Sequence, residues 1–463
     1  MRNIKGAACI KCGAEFDAGE DTYACPKCGG ILEIVYDYEY IKSSVSREKF
    51  AADGNFSMWR YMDFLPIEDV SVTGPLRVGW SPLYRVGSGV NATDKSREKS
   101  LGEMLGLENL FIKDDGLNPT SSLKDRASAI AAARAFHAGK GTVSCSSTGN
   151  AASSLAGAAA SMGLKSVIFV PERAPQGKLT QLLIFGATVV SVKGDYGATF
   201  RLSAQAIEKY GWYNRNAAIN PYLSEGKKTV ALEIAEQLGR AIHGGQNCGH
   251  PAHGPGGHSI PGFIAPDFVA VSVGDGCTIA GVWKGFKDLY AVGLIDKLPR
   301  LISVQAEGCC PINRAIEKNA PLEPMEENTL ADSIAVGIPR NGDKALAAIR
   351  ESNGITVNVS DDEILAAMRL LGRSAGVFGE PAGVAGTAGL AKAASGGLIP
   401  HDALVVSIVT GNGLKDVASA QKAAGISQEF IGGQPGLIDK PKLIRIEPDM
   451  GLLSAEFAKM GIC

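Results

Sequence analysis

From Leu107 onward, short apolar runs rich in β-branched residues alternate with helical stretches, and few folds accept that alternation. The runs include Leu110–Ile112, Thr142–Ser144, Val167–Val170, Thr188–Val192, Phe268–Val273, Leu301–Val304 and Leu404–Val409. Helical patterns lie between them, among them Asp125–Ala138, Ala151–Met162, Thr199–Tyr210 and Asp361–Ser374. Strands that are apolar on both faces and separated by helices bury themselves as parallel sheets with helices on each side. At least seven such strands over about 300 residues fit two α/β domains better than one. The expected organisation is a module over residues 1–40 and an arm over 41–101. A body of two doubly wound α/β domains follows over 102–430, the smaller at about 141–225, and then a C-terminal segment over 431–463. Fifty-seven glycines beside only 6% aromatics suit many tight strand-to-helix turns.

Forty-six basic residues against 48 acidic ones leave a net charge of −2, so no strong field draws the chain to nucleic acid or to an anionic membrane. Small-molecule partners are expected instead. The start, Met1 to Gly6, runs into a cysteine pair without an apolar leader, and no later stretch holds eighteen uninterrupted apolar residues. A cytoplasmic protein without membrane contact is the expectation. The stretch His243–His258 holds four of the six histidines together with Cys248 among many Gly and Pro residues. It reads as a mobile surface loop, with a second metal site as the other reading.

Cys9-x2-Cys12 and Cys25-x2-Cys28, with twelve residues between the pairs, have the spacing of a zinc ribbon. The glycine after each pair, Gly13 and Gly29, suits the positive φ that turns backbone amides toward sulfur. Four thiolates leave no open coordination position. The metal is therefore expected to be a structural Zn2+ that folds a module too small to stand on its own core.

Four segments sit where a strand gives way to a helix, the place where parallel α/β proteins gather functional groups. Lys124, in Asn118–Ala127, stands in the first turn of an Ala-rich helix, where the helix dipole disfavours an ammonium and lowers its pKa. A neutral amine there is able to attack an aldehyde. Ser147, Thr148 and Asn150, in Ser144–Asn150, offer hydroxyls and an amide at a helix start, as a carboxylate receptor would. Gly274, Asp275, Gly276, Cys277 and Thr278 form a Gly-rich turn whose amides suit a monophosphate, without the lysine of a nucleotide-binding loop. The Asp275 carboxylate must then point away. Thr410, at the end of the last strong strand, offers a neutral hydroxyl of the kind that hydrogen-bonds a pyridine nitrogen.

Taken in this order, the four segments resemble the threonine synthase family of fold-type II pyridoxal-phosphate enzymes, from about Pro82 to Ala420. The ribbon resembles that of a subset of the same family. Asn220-Pro221, Glu225-Gly226, Lys228-Thr229, Glu380-Pro381-Ala382 and Gly413–Asp416 match further family segments. The resemblance implies the tryptophan synthase β-like architecture and homodimers. It makes Lys124 the lysine that carries pyridoxal 5'-phosphate and shuttles protons, and Asn150 the partner of the cofactor's phenolic oxygen. It assigns Gly274 to Thr278 to the cofactor phosphate, Thr410 to the ring nitrogen, and Ser147 and Thr148 to the substrate's α-carboxylate.

The departures bear on the substrate. Ala217-Ala218 stands where the family often has Asn-Ser, and Leu223 where an Arg usually follows Asn220-Pro221. The family's Arg-containing stretch reads Ile334–Pro339 here, and its Thr-Gly-His-Gly reads Thr410–Gly413. A desolvated phosphate dianion needs such partners, so Arg340, Lys227, Lys228 or Arg126 would have to replace them. The resemblance implies formation of L-threonine and phosphate from O-phospho-L-homoserine. The departures leave open a β-elimination or β-replacement on a hydroxy- or phospho-amino acid, as in dehydratases or cysteate synthases. A non-catalytic binding protein is the reading of another class.

Overall fold

Two sheets, each with one place where the order of its strands reverses, set the geometry of everything that follows. The structure is a computed structural model that describes residues 1–19, 23–88, 99–172, 176–194, 196–216, 219–244, 262–425 and 446–460. The Cys248 and His-rich segment 245–258, together with Ala217 and Ala218, lies outside the described residues.

The larger sheet has six strands in the order Ile355–Val359, Arg300–Ala306, Phe268–Ser272, Leu404–Val409, Asn109–Asp114 and Leu83–Arg85. All pair in parallel except Leu83–Arg85, which runs antiparallel along Asn109–Asp114. Its central strand Phe268–Ser272 is buried at every position because helices cover both faces. Ile355–Val359 alternates apolar and polar residues and forms the edge, with Val357 and Val359 buried and Thr356 and Asn358 partly exposed. The smaller sheet runs Thr188–Val192, Lys165–Pro171, Thr142–Ser146 and Tyr213–Asn214, all parallel. The expectation of parallel sheets therefore holds throughout, apart from the one antiparallel edge strand that the arm contributes.

The segment 41–101 is anchored by buried aromatic residues. Trp59, Tyr61 and Phe64 enter the main core, and Arg60 forms a two-point ion pair with Glu236, its Nη2 lying 2.8 Å from Oε1. Ahead of it, Ile4–Cys9 pairs antiparallel with both Glu15–Phe16 and Leu32–Tyr36. Alternate residues of Leu32–Tyr36 turn into the core. The module is held to the body by Lys344 Nζ, which donates to the Leu32 carbonyl at 2.6 Å, and by Tyr38 Oη, which donates to Asp288 at 2.6 Å.

Candidate active site

In doubly wound sheets, a crevice opens beyond the carboxyl ends of the two strands where the winding reverses. In the larger sheet those strands are Phe268–Ser272 and Leu404–Val409, and the residues that follow them are Gly274 to Thr278 and Thr410. In the smaller sheet they are Thr142–Ser146 and Tyr213–Asn214, followed by Ser147 to Asn150 and by Arg215. The two crevices open into one cavity of about 160 Å³ with Lys124 in its wall. Lys124, Ser147, Asn150, Gly274 to Thr278 and Thr410 all line it. Thr148 lines an adjoining, wider cavity that shares Asn150, Ser333, Glu380 and Ala382 with the first.

Lys124 opens the helix Lys124–His137 from a tightly fixed loop. The Asp125 carboxylate accepts from the Thr120 N–H at 2.8 Å and from its hydroxyl at 2.7 Å. Ser121 holds a φ of 68°, a conformation a residue with a Cβ rarely adopts. The Leu123 N–H donates to the Thr410 carbonyl at 2.8 Å, and the Asn412 N–H to that of Ser121 at 3.0 Å, which ties the lysine's loop to the turn after the last strand.

Three helices, Lys124–His137, Asn150–Ser161 and Cys277–Ala291, begin at this cavity, and no side chain caps any of them. The Asp125, Arg126 and Ala152 amides donate to the Ser122, Leu123 and Gly149 carbonyls, so the start of Cys277–Ala291 is the one best placed to offer amides to a ligand. The Gly-rich turn is shaped for close approach. Gly276 has a φ of 85°, and a Cβ on Gly274 would stand 2.8 Å from Ile334 Cα. As the sequence requires, Asp275 is occupied elsewhere: its Oδ1 accepts from the Arg340 N–H at 2.7 Å, and its Oδ2 from the Cys277 thiol at 3.6 Å. The Asn150 amide donates to Glu380 Oε1 at 2.6 Å.

The Lys124 amine is pulled down to about 8. Desolvation in the cavity wall is the largest cause and the charges of Lys227 and Arg215 come next, whereas the sequence pointed to the helix dipole. Among the described residues, the cations Lys124, Arg215, Lys227 and Arg340 and the carboxylates Asp275 and Glu380 line the cavity. Of the four cations named from the sequence, Lys227 and Arg340 are in the wall. Arg126 and Lys228 are not available. Arg126 is bound to Asp115 and Glu233, and Lys228 to Asp288 and Glu225. Leu223 is fully buried in the core. Arg215 is absent from the residues the sequence singles out because the strand before it has two residues. Its signal is a cation directly after the strand that reverses the smaller sheet.

The chain matches the family described as pyridoxal-phosphate dependent enzyme over residues 88–411. The threonine synthase of Methanocaldococcus jannaschii is 38% identical over 419 residues, covering 90% of this chain and 94% of that one. That of Methanosarcina acetivorans is 38% identical over 88% of this chain and 91% of its own. The chain belongs to the threonine synthase family of pyridoxal-phosphate dependent enzymes. It is a pyridoxal-phosphate dependent lyase with the fold-type II architecture. Diaminopropionate ammonia lyase from Escherichia coli shares that fold at a TM-score of 0.58 and 18% identity, covering 80% of this chain and 93% of its own. Maize serine racemase shares it at 0.56 and 21%, covering 70% and 88%.

The cavity fits the family's cofactor. It offers an amine of lowered pKa, an uncapped helix start behind a turn closed to side chains at Gly274 and Gly276, and a neutral hydroxyl at Thr410. The ribbon of the family also has a fitting site. The sulfurs of Cys9, Cys12, Cys25 and Cys28 lie within 4.8 Å of one another, with 3.5 Å between Cys9 and Cys28 and 3.7 Å between Cys12 and Cys25. A tetrahedral zinc thiolate needs about 3.8 Å between sulfurs. Gly13 and Gly29 take φ values of 68° and 69°, as their place after each pair requires. Among the described residues, no helix is long and apolar enough to cross a membrane.

Proposed function

We propose that this family member converts O-phospho-L-homoserine into L-threonine and phosphate. The observation that carries the reading is the pair of buried cations, Arg215 and Lys227, in the cavity wall beside Lys124 and the uncapped start of Cys277–Ala291. Such a place favours a small molecule with several negative charges beside the cofactor's own phosphate.

When bound, pyridoxal phosphate supplies the electron sink for the bond broken at the substrate's Cα. In this reading Lys124 holds the cofactor, and the amides of Gly274, Asp275, Gly276, Cys277 and Thr278 hold its phosphate. Asn150, oriented by Glu380, meets the phenolic oxygen, and the Thr410 hydroxyl meets the ring nitrogen without adding a charge. Ser147 and Thr148 take the α-carboxylate. With a pKa of about 8, the Lys124 amine is neutral in a useful fraction near neutrality, so it accepts the proton from Cα and returns one. Loss of a second proton at Cβ lets phosphate leave Cγ, and water then adds at Cβ. Cys9, Cys12, Cys25 and Cys28 hold a structural zinc ion away from this chemistry.

Burial of Leu223 favours a second reading, in which the reaction stops at Cβ. Purified protein is supplied separately with O-phospho-L-homoserine, O-phospho-L-serine and L-threonine. Threonine and phosphate in equal amounts from the first supports the proposal. Turnover confined to the other two replaces it with the Cβ reading. Borohydride followed by peptide mass analysis is expected to fix the cofactor on Lys124, and a label on another lysine would overturn the assignment.

A further inference from the structure

Arg215 and Lys227 are each 2% exposed and both line the cavity, yet among the described residues neither has an ion-pair partner. Arg215 donates only to neutral oxygens, from Nε to Ser128 Oγ at 3.0 Å and from Nη2 to the Lys124 carbonyl at 3.4 Å. Lys227 meets the Cys277 thiol, and the Asp275 carboxylate acts on it only through its field. The two acids of the cavity already accept from Arg340 and Asn150. Two buried cations beside Lys124 without a counter-charge are unfavourable until an anion arrives.

Their places along the chain are informative. Arg215 comes two residues before Ala217-Ala218, where the family often has Asn-Ser. Lys227 lies one helical turn beyond Leu223, the usual Arg position, on the same face of helix Tyr222–Gly244. The three positions where this chain carries apolar side chains are thus flanked by two cations. Arg215 follows Tyr213–Asn214 of the smaller sheet, whereas Lys227, on the helix Tyr222–Gly244, meets the Cys277 thiol of the Gly-rich turn. A guanidinium offers a two-point grip on phosphate, and two positive charges match a dianion.

We propose that Arg215 and Lys227 form the receptor for a phosphate monoester at the far end of the substrate's side chain, in place of the polar side chains that Ala217, Ala218 and Leu223 do not supply. The receptor rests on the reading of the substrate as a phosphorylated amino acid, and it names the residues that select it.

The test uses the holoenzyme and its Arg215→Gln, Arg215→Lys and Lys227→Gln variants. Each is titrated with O-phospho-L-homoserine and with L-2-aminopentanoate, which has no phosphate, while the cofactor's absorption is followed. Arg215→Gln is expected to weaken the phosphorylated ligand roughly 100-fold, to leave the unphosphorylated one and the cofactor content unchanged, and to be partly rescued in Arg215→Lys. Lys227→Gln is expected to act in the same direction. Equal weakening of both ligands, no weakening in either glutamine variant, or loss of cofactor overturns the receptor. Retained affinity for L-2-aminopentanoate separates a weakened phosphate grip from a misfolded chain. If the wild type makes no threonine but prefers the phosphorylated ligand through Arg215, the proposed reaction falls and the receptor stands. If it makes threonine and both glutamine variants bind normally, the reaction stands and the receptor falls.

Discussion

Two groups of buried cations meet near the start of the helix Lys124–His137, and they are built on opposite principles. Arg126 and Lys113 belong to a closed set. Arg126 donates from Nε and Nη2 to Asp115 at 2.6 and 2.8 Å and from Nη1 to Glu233 at 2.6 Å, while Lys113 donates to Glu233, to Gln237 and to the Ser81 carbonyl. Arg215 and Lys227 are almost as deeply buried, and among the described residues neither forms an ion pair. Burial of a charge is therefore not in itself a sign of function. The missing counter-charge is the sign, because a complete set cements the fold and an incomplete one awaits a ligand.

The largest test of that contrast is at Lys124, which belongs to the incomplete group. Lys124→Ala is expected to lower phosphate release from O-phospho-L-homoserine roughly 10⁴-fold, with denaturant unfolding little changed. Next come the two arginines. Arg126→Met leaves Asp115 and Glu233 buried and unopposed, and is expected to cost about 3–5 kcal/mol in a urea melt. Arg215→Met removes an unopposed cation, so the same melt should show no loss of stability. An equal loss in both variants would erase the distinction.

The closed set also has a pH signature. Burial pushes the Glu233 carboxyl up, but Arg126 and Lys113 outweigh it and hold the group at about 2. The unfolded chain then binds more protons than the folded one between the ordinary glutamate range and 2. The contribution is complete above that range and is lost as pH falls through it, so Glu233→Gln should flatten the acid limb of the stability profile. In the open group the signature lies in cofactor uptake. Lys124 takes up pyridoxal phosphate as the neutral amine, so the rate of cofactor uptake by the cofactor-free protein should rise with pH through about 8. Lys227→Met removes a neighbouring positive charge and should move that midpoint up by about one unit. The smallest effect on turnover is expected from Cys12→Ser: metal analysis should find one zinc ion per wild-type chain and none in the variant, while the catalytic groups stay in place.

The main strands and the four strand-to-helix segments are legible in the sequence because each rests on a local pattern. Apolar runs such as Leu404–Val409 declare their burial, and a Gly-rich turn after Phe268–Ser272 declares a place of close approach. Pairing at a distance is not legible. Arg126 and Lys228 resemble free cations in the sequence because part of each set of partners, Glu233 and Asp288, stands 107 and 60 residues away. Ile355–Val359 escapes notice since its polar Thr356 and Asn358 break the apolar run at the sheet edge. Arg215 escapes it because two residues, Tyr213 and Asn214, are too few to announce a strand. Thr148 reads with Ser147 as one receptor, yet the turn into the helix Asn150–Ser161 directs it to the adjoining cavity.

At Gly274 a single added carbon would press on Ile334, and at Gly276 it would come within 2.7 Å of the Ala345 side chain. Side chains are therefore shut out at two positions of bare backbone. In the proposed reading that turn would hold the cofactor, so a change of substrate is open at positions such as Leu223 while a change at Gly274 or Gly276 costs the vitamin's seat.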